Sequence, residues 1–480
     1  MLNSSKKVFA RSANLALQCR AFSSGDNFIS KPFKSLRDGL SWQIPKELEN
    51  PNRPPSEADI VIVGGGVMGS SAAYFLKQSE KVGADVVVIE RDNTYQQASS
   101  VLSCGGIRQQ FSTPENVLMS MYSSHFMKHI KDYLSVEGSD PPDLQFNHQG
   151  YLFLASKENE HILHDNHVIQ KNCGAKVELL TPKMLKERFH WLNVDGISLG
   201  SYGMENEGWF DPWSLLKCFK SKALELGVRY FNGDVSGFHV VDDNGNSIDP
   251  TKPSYQGRKL HSVLVSMPNS PEVVRIKASY VILTAGAWSG QVGKLLGIGT
   301  GPKEENLHAA IPVVPRKRYV YVAHCPDGPG LTCPLMIDQS GCYVRREGLG
   351  GNYLMGKSPP EEAEPSCDNL DVNYDYFDEE IWSHVAHRVP AFEKLKVKNA
   401  WAGFYDYNTL DQNAIIGPHI TYKNLLMATG FSGHGIQQSP AAGKLISEYI
   451  LEGGFKTIDI RKFGFERCIT ETPVLERCIV

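Results

Sequence analysis

Four hundred and eighty residues exceed what a single hydrophobic core usually organises, so two packed units are expected. A hydrophobic share of 41% with 21% charged residues excludes a disordered or collagen-like chain. Forty-nine Lys and Arg against 53 Asp and Glu leave −4, which argues against a nucleic-acid binder; the ten cysteines form neither a CxxC pair nor a zinc-spaced ladder, so reduced thiols and no metal site are expected.

From Met1 to Gly25 there is no acidic residue, while Lys6, Lys7, Arg11 and Arg20 are basic. Leu2, Phe9, Ala13, Ala16 and Leu17 can share one face of a short helix. That composition is the one of a mitochondrial presequence, and the apolar stretch is too short and interrupted for a secretory signal. Arg20 precedes Phe22 and Ser23 at a spacing that suits a matrix protease, so residues 1–22 are read as a presequence and 23–57 as a linker. The plain alternative is a disordered basic tail. The expected location is the mitochondrial matrix. No window holds the roughly 18 or more apolar residues of a membrane span, so any inner-membrane association would be peripheral or through a partner.

Asp59-Ile60-Val61-Ile62-Val63 is a β-branched run suited to a central parallel strand. Gly64-Gly65-Gly66-Val67-Met68-Gly69 follows, and then a helical run from Ser70 to Gln78. In this grammar Gly64 permits the tight turn, Gly66 lets a pyrophosphate approach backbone, and Gly69 lets the helix pack close to the strand. A second strand, Asp85 to Ile89, ends in Glu90, whose carboxylate can accept hydrogen bonds from ribose hydroxyls and would repel a 2′-phosphate. A dinucleotide is therefore expected, and NADP is disfavoured. Gly233-Asp234-Val235 marks another strand onset. Two distant segments repeat the strand–glycine–helix pattern: Tyr280 to Ser289, with Ala285, Gly286 and Trp288, and Leu425 to Gly435, with Gly430 and Gly433. Helical runs follow them, Gly290 to Leu296 and Ile436 to Leu451. Three such turns serve an extended FAD better than a mobile NAD. His161, His164 and His167 lie in a polar helical stretch and read as solvated surface rather than a metal site.

Together with Ser99-Ser100, Gly105-Gly106-Ile107-Arg108, Trp401-Ala402-Gly403, Asp411 and Ile416-Gly417, these segments resemble the D-amino-acid oxidase superfamily of flavoproteins, in the branch of sarcosine oxidase and dimethylglycine dehydrogenase, from about Ala58 to about Gly454. At finer grain, Leu102 to Phe111, Tyr343 to Gly348 and Trp401 to Asn408 resemble a mitochondrial branch implicated in assembly of respiratory complex I. The resemblance implies an α/β fold: a discontinuous Rossmann-like FAD-binding domain (58–148, 205–298 and 400–457) plus an α+β substrate domain with an antiparallel sheet (149–204 and 299–399), then a tail, 458–480. Strand-like runs at Tyr151 to Ala155, Arg318 to Ala323 and Gly341 to Arg346 agree with such a sheet. The implied cofactor-binding set is Gly64, Gly66, Val67, Met68, Gly69, Glu90, Arg91, Ser99, Ser103, Gly105, Gly106, Val235, Ala285, Gly286, Trp288, Gly403, Gly430, Gly433, His434, Gly435 and Ile436. Amides at Gly433 to Ile436 would stabilise negative charge on a reduced ring. His434 either touches the ring or satisfies a local hydrogen bond.

The departures from the family are informative. Related dehydrogenases attach FAD through a histidine where this chain has about Ser103, beside Cys104; monomeric sarcosine oxidases use a cysteine in the segment matching Gly403 to Tyr405, where there is none. Non-covalent FAD is expected. The family's substrate-carboxylate cations fall on Phe111 and Gln437. Losing both removes charge-assisted hydrogen bonds of about 1.5–3 kcal/mol each. Arg108, His434, Arg345 and Tyr343 are the candidate catalytic residues. Arg345, which shares a strand face with Tyr343, is the first substitute cation and Arg318 the second, an ion pair being the alternative for either. The implied roles are a complex I assembly factor, with complex I subunits or intermediates as partners, and a dehydrogenase or oxidase of a small secondary amine or N-methyl amino acid. The two are compatible, and the assembly role is placed ahead.

Overall fold

The computed structural model describes residues 52–78, 83–252 and 257–477; the expected presequence and the linker through residue 51 lie outside them. Glu57–Val63 is a strand whose Ile60, Val61 and Ile62 are all fully buried. Burial on both faces is what a continuous β-branched run requires, and the strand has parallel neighbours on each side, Val86–Glu90 and Val273–Leu283. Arg229–Asn232 and Leu425–Thr429 extend this parallel core. Antiparallel strands complete a nine-stranded sheet: Ile415–Pro418 at one edge, and a meander of Asp234–Val241, Ser247–Ile248 and Lys259–Ser266 hung on Val273–Leu283.

Helices Val67–Gln78 and Gly435–Glu452 pack on each other beside this sheet. Their approach is close because Gly443 has no side chain: a Cβ there would stand 2.2 Å from Ser71 Oγ. Ser71 Oγ instead donates to the Ser439 carbonyl at 2.8 Å, across the helix pair.

The second sheet has eight strands in the order Lys396–Asn408, Val313–His324, Asn352–Gly356, Tyr343–Glu347, Leu335–Ile337, Tyr151–Ala155, Leu199–Gly203 and Val177–Leu180. Its neighbours are antiparallel apart from the pairing of Leu335–Ile337 with Tyr151–Ala155. Lys396–Asn408 pairs with Val313–His324 along its whole length, so residues from 400 that sequence assigns to the FAD-binding piece leave the second sheet only after Asn408. The antiparallel ladder continues through a position where sequence pattern alone offers no break.

The tail is packed. Arg467 is buried in a pair with Asp411 at 2.7 Å and also donates to the Asn413 and Ala414 carbonyls. Glu476 accepts from Ser112 N–H, Thr113 Oγ1 and Asn116 Nδ2 at the start of helix Pro114–Lys128. His161, His164 and His167 sit on helix Glu160–Cys173, and no group of three metal-ligating side chains occurs among the described residues.

Candidate cofactor and active site

The turn after the first strand is shaped by two glycines that do different things. Gly64 has φ +102°, and a Cβ there would meet the Thr284 carbonyl oxygen at 2.4 Å. Gly69 does not face the cleft; a Cβ on it would stand 2.0 Å from the Gly64 oxygen, so its lack of a side chain seats the helix against the turn. Thr284 Oγ1 bridges the Val63 and Gly64 carbonyls, tying this turn to the one that contains Gly286. Between them Gly66, Val67 and Met68 line a cavity of about 360 Å³. Ser100 Oγ accepts from Val67 N–H at 3.2 Å and holds the Ser99-Ser100 segment over the start of the helix.

Glu90 ends the second strand with its carboxylate toward the cleft, accepting from Gly65 N–H at 2.7 Å and Asp92 N–H at 2.9 Å. Burial raises its pKa, and those two amides pull it part of the way back. Gly233 N–H donates to the Glu90 carbonyl, which brings Val235 to the same wall. Arg91 lies over the Trp288 ring, 4.2 Å from its centroid, and Trp288 meets Phe404 edge to face at 5.9 Å.

The other end of the cavity is lined by Gly433, Gly435 and Ile436 from one side and Arg318, Tyr319, Tyr343, Gly403 and Tyr405 from the second sheet, with Lys357 just past one of its strands. Gly433 has φ +97°, and a Cβ would meet the Tyr405 ring at 2.5 Å. The N-terminal amides of the 18-residue helix Gly435–Glu452 open here, the positive end of a long helix dipole. Asp406 fastens the turn: its carboxylate accepts from Phe431 N–H at 3.0 Å, and its carbonyl accepts from Ser432 N–H. Burial raises the Asp406 pKa to about 6, against the pull of these backbone amides. Burial also pushes the Tyr405 hydroxyl up to about 12 and Tyr343 well above the usual tyrosine value.

Of the residues expected from sequence, Ser99, Ser103, Glu90, Arg91, Val235, Ala285, Gly286, Trp288, Gly403 and Tyr343 come together in this one cleft with the glycine turns. Gly105, Gly106, Gly430, Arg108, His434 and Arg345 do not line it. Gly105 and Gly106 let the Ser103-Cys104 wall pass tightly: Cβ atoms would meet the Phe210 carbonyl at 2.1 Å and Leu335 Cδ1 at 3.0 Å. Gly430, at φ +74°, makes the turn that Asp406 holds. Arg108 is buried over Phe111 at 4.1 Å and Phe153 at 5.0 Å, and donates to the Gln110 carbonyl at 2.6 Å. The His434 ring packs against Phe111, centroids 5.4 Å apart, and burial, with the Arg108 charge adding to it, drops its pKa to about 3. Arg345 donates to the Cys104 carbonyl at 2.7 Å and to Glu347 at 2.5 Å, so it anchors the wall instead of facing a substrate. Phe111 is fully buried, and Gln437 Oε1 accepts from Arg108 N–H at 2.8 Å. Of the wall residues not expected as such, Asp92, Tyr95 and Lys357 carry no local motif; Thr284 stands just before Ala285-Gly286, and Phe404, Tyr405 and Asp406 fall within the Trp401 to Asn408 segment without a role assigned to them from sequence.

The sequence profile of the DAO family, described as FAD dependent oxidoreductase, matches residues 59–449. The chain belongs to this family. It is 54% identical over 465 residues to FAD-dependent oxidoreductase domain-containing protein 1 of Xenopus laevis, covering 95% of this chain and 93% of that protein. Mitochondrial dimethylglycine dehydrogenase of Rattus norvegicus is 26% identical over 424 residues, 84% of this chain but 44% of that protein. Among solved structures, L-proline dehydrogenase from P. horikoshii superposes with a TM-score of 0.70 at 25% identity, over 86% of this chain and 98% of that one. FAD is the cofactor of this family, and the cleft fits it: three glycine turns open on one continuous wall, with a carboxylate near one end and helix N-terminal amides at the other.

Proposed function

We propose that this chain is a mitochondrial flavoprotein that holds FAD without a covalent bond and acts on the C–H beside a nitrogen of a small secondary amine or N-methyl amino acid. The observation that carries the reading is the convergence of the Gly64, Gly286 and Gly433 turns on one cleft whose remaining wall is tyrosine-rich. With FAD bound, Glu90 would accept from the ribose hydroxyls, the backbone at Gly66 would meet the pyrophosphate, and the helix-start amides of Gly435 and Ile436 would meet the ring. FAD supplies a two-electron acceptor when bound. The protein's part is to exclude water, with Tyr343, Tyr405 and Phe404 closing the wall, and to place the donor carbon. His434, neutral through burial, carries no imidazolium proton at pH 7. Neither Ser103 nor Gly403 offers a side chain that could bond to the ring, which supports the non-covalent reading. The test is anaerobic: secondary and N-methyl amino acids should bleach the bound flavin, and a broad amine panel that leaves it oxidised would reject the reading.

A second role is favoured by a specific feature. At Phe111 and Gln437 the family's substrate cations are replaced by a buried ring and a hydrogen-bond acceptor to backbone. We infer that selection on ordinary amino-acid turnover is relaxed here, and that the protein serves assembly or stability of respiratory complex I in the mitochondrial matrix, bound to its subunits or intermediates. Among the described residues no helix is long and apolar enough to cross a membrane, so any inner-membrane association would run through such a partner or the surface. Deleting the gene should lower complex I activity and spare the neighbouring complexes; a normal complex I would reject this role. A folded variant that cannot bind FAD, tested for rescue, separates scaffold from catalyst.

A further inference from the structure

A smaller cavity of about 220 Å³ adjoins the flavin cleft and shares Arg318, Ser358 and Tyr405 with it. Its wall begins with a strand register. Arg316 stands opposite Tyr405 and Arg318 opposite Gly403 in the ladder between Val313–His324 and Lys396–Asn408. Residues two apart share a face, as do directly opposed residues, so both guanidiniums, Tyr405 and the empty side-chain position of Gly403 fall on one face. Arg316 lies 3.7 Å from the Tyr407 ring centroid and Arg318 5.4 Å from that of Tyr405.

Both arginines converge on one carboxylate. Glu364 takes Arg318 Nη1 at 2.7 Å and Nη2 at 2.8 Å, and Arg316 Nη1 at 2.9 Å. The second carboxylate, Glu361, meets Arg316 at 3.0 Å, but its side chain is 84% exposed and screened by solvent. The nearby Asp406 carboxylate lies on the alternate face of its strand and is held by Phe431 N–H. The low-exposure set, Arg316, Arg318 and Glu364, therefore carries one positive charge in excess. Arg318 is also 8% exposed, and its Nε, buried among the described residues, has no hydrogen-bond partner. A buried, ionised donor left unmatched is costly unless a ligand completes it.

We propose that Arg318 is this chain's seat for a small carboxylate at the mouth between the two cavities: Nε donates to the incoming group, Glu364 fixes the two terminal nitrogens, and Arg316 supplies the balancing charge. The ligand class is an amine that also bears a carboxylate, and the proposal rests on the flavin-dependent amine reading above. It places the acid-binding cation on the second sheet, in place of the lost positions at Phe111 and Gln437.

The test uses full-chain protein with FAD bound, titrated with pyrrole-2-carboxylate and, separately, with pyrrole-2-carboxamide, following the flavin absorption band. The carboxylate should perturb the wild-type spectrum and the amide should not. In the double variant R318M/E364Q, which leaves no orphaned carboxylate, binding of the carboxylate should weaken about ten- to hundredfold, the range of one charge-assisted hydrogen bond. R318K, which keeps the charge but not the fork, should fall between them and decides the matter should the double variant lose FAD. Equal binding to wild type and to these variants, equal binding of the amide, or no response in FAD-loaded wild type overturns the proposal. A wild-type protein that cannot hold FAD at all would instead defeat the underlying reading.

Discussion

At the end of the cleft where Gly64, Gly66 and Glu90 lie, the turn is shaped by positions that lack side chains and the wall is completed by the Glu90 carboxylate and its neighbours. At the end where Tyr343, Tyr405 and Arg318 lie, the wall is side chains on strands paired across long stretches of chain. The first end recognises what every user of the cofactor must have in common. The second end presents side chains that the cofactor itself does not require, Arg318, Tyr343 and Tyr405 among them. The glycine turn with Glu90 and the tyrosine wall can differ independently within one cavity, because they are carried by strands of separate sheets.

The comparison can be broken most sharply at Gly69. Neither Gly64 O, 2.0 Å from a built Cβ, nor Thr284 Oγ1, 2.8 Å away and bonded to two carbonyls, can give way. Gly69→Val is expected to abolish flavin binding and to cost about 3 kcal/mol or more, at the top of the usual overpacking range. The flavin-to-protein absorbance ratio and a denaturant titration check this, and a stoichiometric yellow G69V protein would contradict it. Glu90→Gln should weaken FAD about ten- to hundredfold by removing the charge from its hydrogen bonds, whereas R318M/E364Q should change FAD affinity by no more than about threefold. Flavin fluorescence titration reads both, and equal losses would erase the distinction between the two ends.

A smaller effect concerns pH. Burial lowers the His419 pKa to about 3, from an ordinary 6.5. The unfolded chain then binds more protons than the folded one between those values, so this group's contribution to stability is full above pH 6.5 and is lost as pH falls. His419→Asn keeps an acceptor for the Thr421 and Tyr422 amides that now bond Nδ1. Relative to wild type the variant should gain about 1.4 kcal/mol per pH unit below 6.5, visible as converging denaturation midpoints; parallel pH curves would contradict it. Smallest of all, Trp288→Leu removes the ring beneath Arg91 and should weaken FAD about two- to fivefold, the size of an exposed cation–π contact.

What the sequence makes legible follows the same division. Strand, glycine turn, helix and Glu90 lie within a short stretch, and each is read from local chemistry. Gly286 and Gly433 announced themselves by repeating that stretch. Period-two reasoning put Tyr343 and Arg345 on one face, but nothing local reveals that the Cys104 carbonyl, far back in the chain, captures the Arg345 guanidinium. Asp406 reads as an ordinary strand residue because the amide that makes it part of the site belongs to Phe431. The role of His434 was open in sequence for a related reason: its neighbours Gly433 and Gly435 face the cleft, while its own ring turns to Phe111, a residue on another segment. The packing of the tail through Arg467 and Glu476 was equally invisible, since Asp411 and Ser112 are distant partners.

The most direct measurement is the visible spectrum of the purified protein, taken before and after acid precipitation. A flavin spectrum whose yellow colour passes entirely into the supernatant is the result this account predicts. Colour that stays with the precipitated polypeptide would mean a covalent link that Ser103 and Gly403 cannot make, and a colourless protein that cannot take up added FAD would remove the cleft's assigned occupant.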